Sequence, residues 1–349
     1  MIGTRPHDES AMPTRTRRNT VLSFTLLSIV AGAIFGHLDA RVLGGGAGAG
    51  YLRGAVVGGV MCLVLISFEI ALEMPRAERF RQAPFSIALT ARSLVYLGVI
   101  LLTLYGSALV FREPSDVGHP IRRAEVLFSI AIAFGFNLLS GINRLLGQRV
   151  LFNFVAGRYN RPRLEPRVLL FIDMTASTSI AERLGELRFL VLLNRFVADL
   201  TLAIAGEGGE IHKYVGDEVI ATWRLGHAGA AQAAIRACFA ARARLAARAA
   251  DYRREFGLMP EFRAALHCGP VVIGELGLLK MEIALIGDTM NTTARIQQAC
   301  RDTGHAVLAS ATLLDRVAEL PAGIVKRALG ALQLRGKEAA LDLCALDVA

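Results

Sequence analysis

Two aspartates, Asp173 and Asp217, have the types and settings to do chemistry. Asp173 closes Arg167–Asp173, a short continuous apolar run that reads as a buried strand. Asp217 sits in Val215-Gly216-Asp217, between the short runs Glu210–Tyr214 and Glu218–Trp223, where the Gly-Asp pair predicts a hairpin turn. If these strands are neighbours, the two carboxylates meet at one sheet edge. Hard carboxylate oxygens with room left for water and phosphate are what Mg²⁺ prefers. Two such ions would clamp an in-line displacement at phosphorus. Taken singly, each aspartate is also an ordinary strand-end or turn residue. Asn291 and Arg295 lie four apart, so a helix places them on one face. A planar guanidinium suits charge developing on a phosphoryl group; the plainer reading is a solvated helix charge beside a helix-end polar residue. Ser177 and Thr178 read as an N-cap pair.

Alternating strands and helices must position these residues. Ser177–Leu184 and Leu187–Ala205 are helical, stopped by Gly206, Gly208 and Gly209. Ala230–Phe256 is rich in Ala and Arg and predicts one long helix. Arg263–His267, Val271–Glu275 and Glu282–Ile286 read as strands, and Thr289–Arg301 as a helix. Short strands follow at Ala306–Ala309, Ile324–Ala328, Leu332–Arg335 and Leu341–Ala345. The order predicts an α+β domain of the split βαβ, ferredoxin-like type with a mainly antiparallel sheet.

The N-terminal half has a different character. The chain has 349 residues, 53% of them hydrophobic and only 20% charged. That excludes disorder and points toward a membrane protein. Apolar runs at Val21–Gly36, Ala55–Leu72, Ile87–Val110 and Val126–Leu146 approach or exceed the ~20 residues that cross a bilayer. Four membrane helices are expected. Arginines crowd the first 20 residues, Glu73–Pro84 and the segment after the fourth run, which places both termini in the cytoplasm. Glu69 and Arg92 lie at similar depth and are candidates for an ion pair across a helical hairpin, or for snorkelling to the interface. His37 falls at the outer end of the first run and His119 in the outer loop after the third, which argues against haem. Five scattered cysteines without a CxxC argue against a disulfide framework or zinc site. The net charge of +9 fits membrane topology and phosphate binding. No nucleic-acid module is recognisable, so no nucleic-acid partner is expected.

At this point four segments carry a resemblance. Phe171-Ile-Asp-Met-Thr-Ala-Ser-Thr178 resembles the FxDxxxST opening of class III nucleotidyl cyclase catalytic domains. Lys213-Tyr-Val-Gly-Asp217 is similar to their KxxGD hairpin, and Gly287-Asp-Thr-Met-Asn291-Thr-Thr-Ala-Arg295 to their GDxxNxxxR segment. Leu334-Arg335-Gly336-Lys337 matches their late basic stretch. The order and separations fit from about Arg163 to Val348. The resemblance implies that Asp173 and Asp217, assisted by the Ile172 carbonyl, hold two Mg²⁺ or Mn²⁺. It implies that Asn291 orients the ribose, that Arg295 stabilises the α-phosphoryl charge, and that Arg335 or Lys337 meets the triphosphate. Sites in this family form between two catalytic domains. One chain with both halves implies a homodimer, in which Asp173 and Asp217 face Lys213, Asn291 and Arg295 of the partner.

In the family, Lys at position 213 goes with ATP and Glu with GTP, because adenine N1 accepts whereas guanine N1 and N2 donate. Lys213 therefore favours ATP and a cyclic AMP product. Ala284 departs from the pattern: ATP users carry Asp or Thr there to accept from the N6 amine. A backbone carbonyl such as that of Leu285 is one substitute, and loss of the bond would cost ~1 kcal/mol, about fivefold in discrimination. A guanylate or mixed cyclase and a silent nucleotide-binding module are the alternatives. A transporter has little support, and Val215 with the missing final Phe speaks against a diguanylate cyclase. The expected plan is a basic arm (1–20), a four-span membrane domain (21–147), a linker (148–166) and the catalytic domain (167–349). The Arg-rich linker either meets anionic lipid or couples the membrane helices to the catalytic pair.

Overall fold

The computed structural model describes residues 22, 25–26, 28–38, 47–72, 85–110, 126–127, 130–131, 134–135, 161–226, 229–278, 281–333 and 340–349. The chain forms two compact units, Met1–Phe152 and Asn153–Ala349.

In the first unit, three apolar helices are described: α1 (Ser28–Leu38), α2 (Ala47–Leu72) and α3 (Phe85–Val110). Within α2 and α3, Gly50–Phe68 and Thr90–Ser107 are long and apolar enough to cross a membrane. The first expected run lies only partly within the described residues. The fourth lies mostly outside them, as do the basic arm, His119 and most of the linker. The side chain of Glu69 is also outside them, so its pairing with Arg92 is undescribed. Helix α2 starts eight residues before the apolar run that predicted it. Its Gly- and Ala-rich beginning lies outside that run, yet it is helix, with glycines packed on α1. A Cβ on Gly32, Gly36, Gly54 or Gly58 would overlap a backbone carbonyl of the facing helix. This is the close backbone approach that small residues four apart allow. Leu65, Tyr96, Ile100 and Leu104 form a buried cluster between α2 and α3.

The packing of α1 on α2 gives a first expected result. Gly54→Leu forces the two helices apart at a cost of about 1–3 kcal/mol. Gly98→Leu on α3, where a Cβ meets nothing within 4 Å, serves as the matched control. Loss of helicity during SDS titration of the purified protein should come earlier for Gly54→Leu only. Equal midpoints for both variants would refute the contact.

The second unit is a sheet flanked by helices. Its strands are β1 (Arg163–Met174), β2 (Glu210–Val215), β3 (Glu218–Arg224), β4 (Phe262–Leu276), β5 (Glu282–Ile286), β6 (Val307–Ser310), β7 (Ile324–Leu332) and β8 (Leu341–Val348). The sheet order is β2-β3-β1-β4-β6-β8-β7, with β5 paired to the far half of β4. Every described pairing is antiparallel except β4 with β6. The α+β expectation holds, and β2-β3-β1-β4 is the ferredoxin-like order.

The helices are α4 (Ser177–Leu184), α5 (Glu186–Gly206), α6 (Ala230–Ala247), α7 (Ala249–Phe256), α8 (Asp288–Thr303) and α9 (Ala311–Leu314). Val168, Leu170 and Ile172 of β1 pack in a core with Phe196 of α5 and Ile235 of α6. Leu169 and Phe171 point the other way, into a core with Ile296 and Cys300 of α8. Burial on both faces is why β1 reads as an unbroken apolar run rather than an alternation. Helix α5 is also long and apolar enough to span a membrane. Instead, Leu192, Phe196, Leu200, Ala203 and Ile204 bury one stripe of it in the second unit.

Three local expectations need correction. Ser177 and Thr178 do not cap α4: the N-cap is Ala176, in the left-handed region at φ 57°, and no side chain bonds there. The chain must turn sharply out of β1 at that point. The long helix Ala230–Phe256 breaks at Arg248 into α6 and α7, where Arg248 turns to the buried carboxylate of Asp199. Arg263–His267 and Val271–Glu275 are one strand, because Gly269-Pro270 lies within the pairing of β4 with β1.

Candidate active site

Asp173 lies one residue from the end of β1, directly opposite Glu218 of β3. Asp217 is the second residue of the two-residue turn joining β2 to β3, after Gly216 at φ +63°. Only glycine adopts that φ without strain, so Gly216 sets where Asp217 stands. The two carboxylates are close enough to perturb each other. Burial, then the charge of Asp217, pushes the Asp173 carboxyl above its usual range, with Arg301 opposing. Glu218 is pushed up by burial and by both aspartates, with the Gln297 amide acting the other way.

Asp217 Oδ2 is buried with no hydrogen-bond partner. Arg301 Nη2 of α8 donates to Asp173 Oδ2 of this acidic corner at 3.1 Å. Among the described residues, no group of three or more His, Cys, Asp or Glu side chains is gathered for a metal ion. Two hard carboxylates with an orphaned oxygen, beside the Ile172 position of β1, fit a Mg²⁺ or Mn²⁺ whose remaining positions go to phosphate and water.

Helix α8 begins at Asp288, after the N-cap Gly287, and is pinned to β4. Thr289 Oγ1 donates to the Pro270 carbonyl at 2.6 Å. The bare Cα of Gly269 makes room, since a Cβ there would meet Thr289 Oγ1 at 2.6 Å. This anchor places Asn291 and Arg295 on α8 as expected. Their face differs from the one that meets the acidic corner. At 3.6 residues per turn, Asn291 and Arg295 point about 120° around the helix from Gln297 and Arg301. Asn291 also lies about 15 Å along the axis from Arg301. Within one chain, the two halves of the expected site therefore look in different directions.

Lys213 sits on β2 just after an irregularity in its pairing with β3. Ile211 faces Ala221 and Lys213 faces Ile220, so His212 is the extra residue of a bulge. A bulge re-aims the side chain that follows it. Lys213 Nζ is held by Glu282 of β5, 3.1 Å from Oε1 and 3.2 Å from Oε2. Ala284 and Leu285 lie on the same strand, opposite Gly274 and Ile273 of β4. Burial and the neighbouring Lys213 charge lower His212 to about 4, so it stays neutral at pH 7.

Arg335 and Lys337 lie outside the described residues. Sequence reasoning missed Glu218, Arg301 and Glu282. Glu218 had a signal, since it directly follows the Gly-Asp turn and must face the end of β1.

The family model for the adenylate and guanylate cyclase catalytic domain matches residues 160–342. The chain belongs to the adenylate and guanylate cyclase family. Adenylate cyclase 2 of Rhizobium meliloti (strain 1021) is 33% identical over 339 residues, 95% of this chain and 92% of that protein. The likeness therefore runs through the N-terminal unit as well. Adenylate cyclase 1 of the same organism is 30% identical over 179 residues, 50% of this chain and 26% of that protein. A bacterial light-regulated adenylyl cyclase of known structure superposes with a TM-score of 0.55 at 22% identity, covering 66% of this chain and 67% of that one. That is a likeness of fold.

Proposed function

We propose that the protein is a membrane-bound adenylate cyclase that converts ATP to 3′,5′-cyclic AMP and pyrophosphate at sites shared across a homodimer. The observation that carries this reading is the divided site. Asp173 and Asp217 form an acidic corner with an unpaired buried oxygen, and Asn291 with Arg295 looks away from it. A second copy related by a twofold axis would bring the α8 face of one protomer to the acidic corner of the other.

Asp173, Asp217 and the Ile172 carbonyl would hold two Mg²⁺ or Mn²⁺, which when bound would supply a lowered pKa at the ribose 3′-hydroxyl and positive charge for the departing pyrophosphate. The chain's own residues do the rest. Asn291 of the partner copy orients the ribose so that the 3′-oxygen lies in line with the α-phosphorus. Arg295 binds the phosphoryl oxygens as charge builds during formation of the 3′-O–P bond and rupture of the bond to pyrophosphate. Lys213 donates to adenine N1, and Arg335 and Lys337 meet the triphosphate.

The N-terminal half would be a multi-pass anchor in a plasma or inner membrane. It comprises a basic arm (1–20), four spans (21–147) and an Arg-rich linker (148–166), with both termini in the cytoplasm next to anionic lipid. The catalytic domain (167–349) dimerises together with the membrane helices, and a small rotation through the linker would open or close both sites.

Purified full-length protein, given ATP or GTP separately with Mg²⁺ or Mn²⁺, should form cyclic AMP. Predominant cyclic GMP would overturn the reading of Lys213. No product under any metal would favour a silent nucleotide-binding module.

The shared site has its own test. Asp217→Ala and Arg295→Ala are each expected to be inactive, yet mixing them leaves one intact site in every heterodimer. Free reassortment should then restore about a quarter of wild-type activity. No restoration, in a mixture whose subunits demonstrably exchange, would mean that each site belongs to one chain.

A further inference from the structure

The adenine pocket lacks the acceptor expected at position 284, and the structure offers another. Glu282 and Ala284 are two apart on β5, so their side chains leave the same face of the strand, about 7 Å apart. Glu282 is long enough to reach along that face, and its carboxylate stands against Lys213 Nζ with both oxygens within 3.2 Å. Both side chains are nearly half exposed, at 42% and 47%, so their charged ends are open to a ligand.

An exposed ion pair contributes little to folding, so stability gives no strong reason for this one. As a recognition element it has a definite meaning. A donor and an acceptor side by side match the edge of adenine, where N1 accepts and the N6 amine donates. A carboxylate carries about four lone-pair sites, so Glu282 can hold Lys213 and still accept from a base.

We propose that Glu282 is a specificity-determining residue of this cyclase: it accepts from the adenine N6 amine in place of the side chain missing at Ala284, while orienting Lys213 toward N1. This inference rests on the adenylate reading above. It also explains how Lys213, on a bulged strand at the sheet edge, is aimed at the base rather than left to sweep solvent.

The test pairs a protein deletion with a substrate deletion. Purine riboside 5′-triphosphate is ATP without the N6 amine. The ratio of kcat/KM for ATP to that for the analogue isolates the contact, because any general damage from a substitution affects both substrates alike. Wild type should prefer ATP about tenfold, as for a hydrogen bond to a charged acceptor. Glu282→Ala should bring the ratio close to one. Glu282→Gln, which keeps a carbonyl acceptor, should retain part of the preference. Ala284→Thr in the Glu282→Ala background should restore it, by returning an acceptor to the same strand face. A ratio unchanged in Glu282→Ala would overturn the proposal and assign N6 to a backbone carbonyl such as that of Leu285. A wild type that prefers GTP to ATP would fail differently: it would overturn the adenylate reading itself, whatever Glu282 does.

Discussion

Replacing Asp217 with alanine is expected to abolish cyclic-nucleotide formation and to leave the protein as stable as before, or more so. The loss should reach about 10³-fold in kcat, since an electrostatic group acting on the phosphoryl transition state is removed. Stability moves the other way because of the same geometry. Asp217 Oδ2 is buried without a partner, and its charge lies against Asp173 and Glu218. A half-buried carboxylate with one unpaired oxygen beside two other acids costs folding free energy, and removing it relieves that cost. Trp223 is the chain's single tryptophan; it is buried on β3 and donates to the Glu207 carbonyl at 2.9 Å. Its fluorescence therefore follows the melting of the catalytic unit alone. The expected pattern is no activity with an unchanged or higher midpoint, in Asp217→Ala and Asp217→Asn alike. Activity above a tenth of wild type would overturn the metal assignment. A clearly lowered midpoint in both variants would make Asp217 a structural residue.

Asp199→Ala should do the reverse. Asp199 is fully buried on α5 and accepts from Arg244 Nε at 3.0 Å, Arg248 Nη1 at 2.7 Å and Tyr252 Oη at 2.7 Å. These partners lie on α6, at the break between α6 and α7, and on α7. One carboxylate thus ties three helices together, and this explains the break. An uninterrupted helix would carry Arg248 and Tyr252 onward in the direction of α6, away from the carboxylate that gathers them. Burial and the Asp199 charge push the Tyr252 phenol up, so it stays a donor at every physiological pH. Removing Asp199 strands a buried hydroxyl and takes an ionic partner from two partly buried guanidiniums. A cost of about 3 kcal/mol follows, less than for wholly buried cations. The Trp223 melting midpoint should fall by roughly 6–12 °C. Asp199→Asn keeps one acceptor oxygen and should lose about half as much. A loss under about 0.5 kcal/mol for Asp199→Ala would mean that α5, α6 and α7 are held by their apolar contacts alone.

Asp199 also shows what a sequence can and cannot disclose. It stands at core spacing with Leu192, Phe196, Leu200 and Ala203, so an acid on the buried stripe of α5 was legible. Its partners were not, because Arg244 and Arg248 are two among many arginines in one Ala-rich segment. The glycines of α2 behave alike. Their composition suggests a loop, and only the facing carbonyls of α1 make them a helix surface.

In the candidate site, the sequence alone determined what depends on neighbours along the chain. The Gly216-Asp217 turn, the strand ending near Asp173 and the helix bearing Asn291 and Arg295 follow from local backbone preference and periodicity, and all are present. The tertiary structure decided what depends on residues far apart in sequence. It brought Lys213 to Glu282 across 69 positions, by a bulge in β2 and the pairing of β5 with β4. It set Arg301 on Asp173 across 128 positions. It also turned the two halves of the site away from each other within one chain. A period of two or 3.6 residues fixes which face a side chain leaves, but what that face meets depends on the docking of whole elements, which is set by the summed packing of both cores.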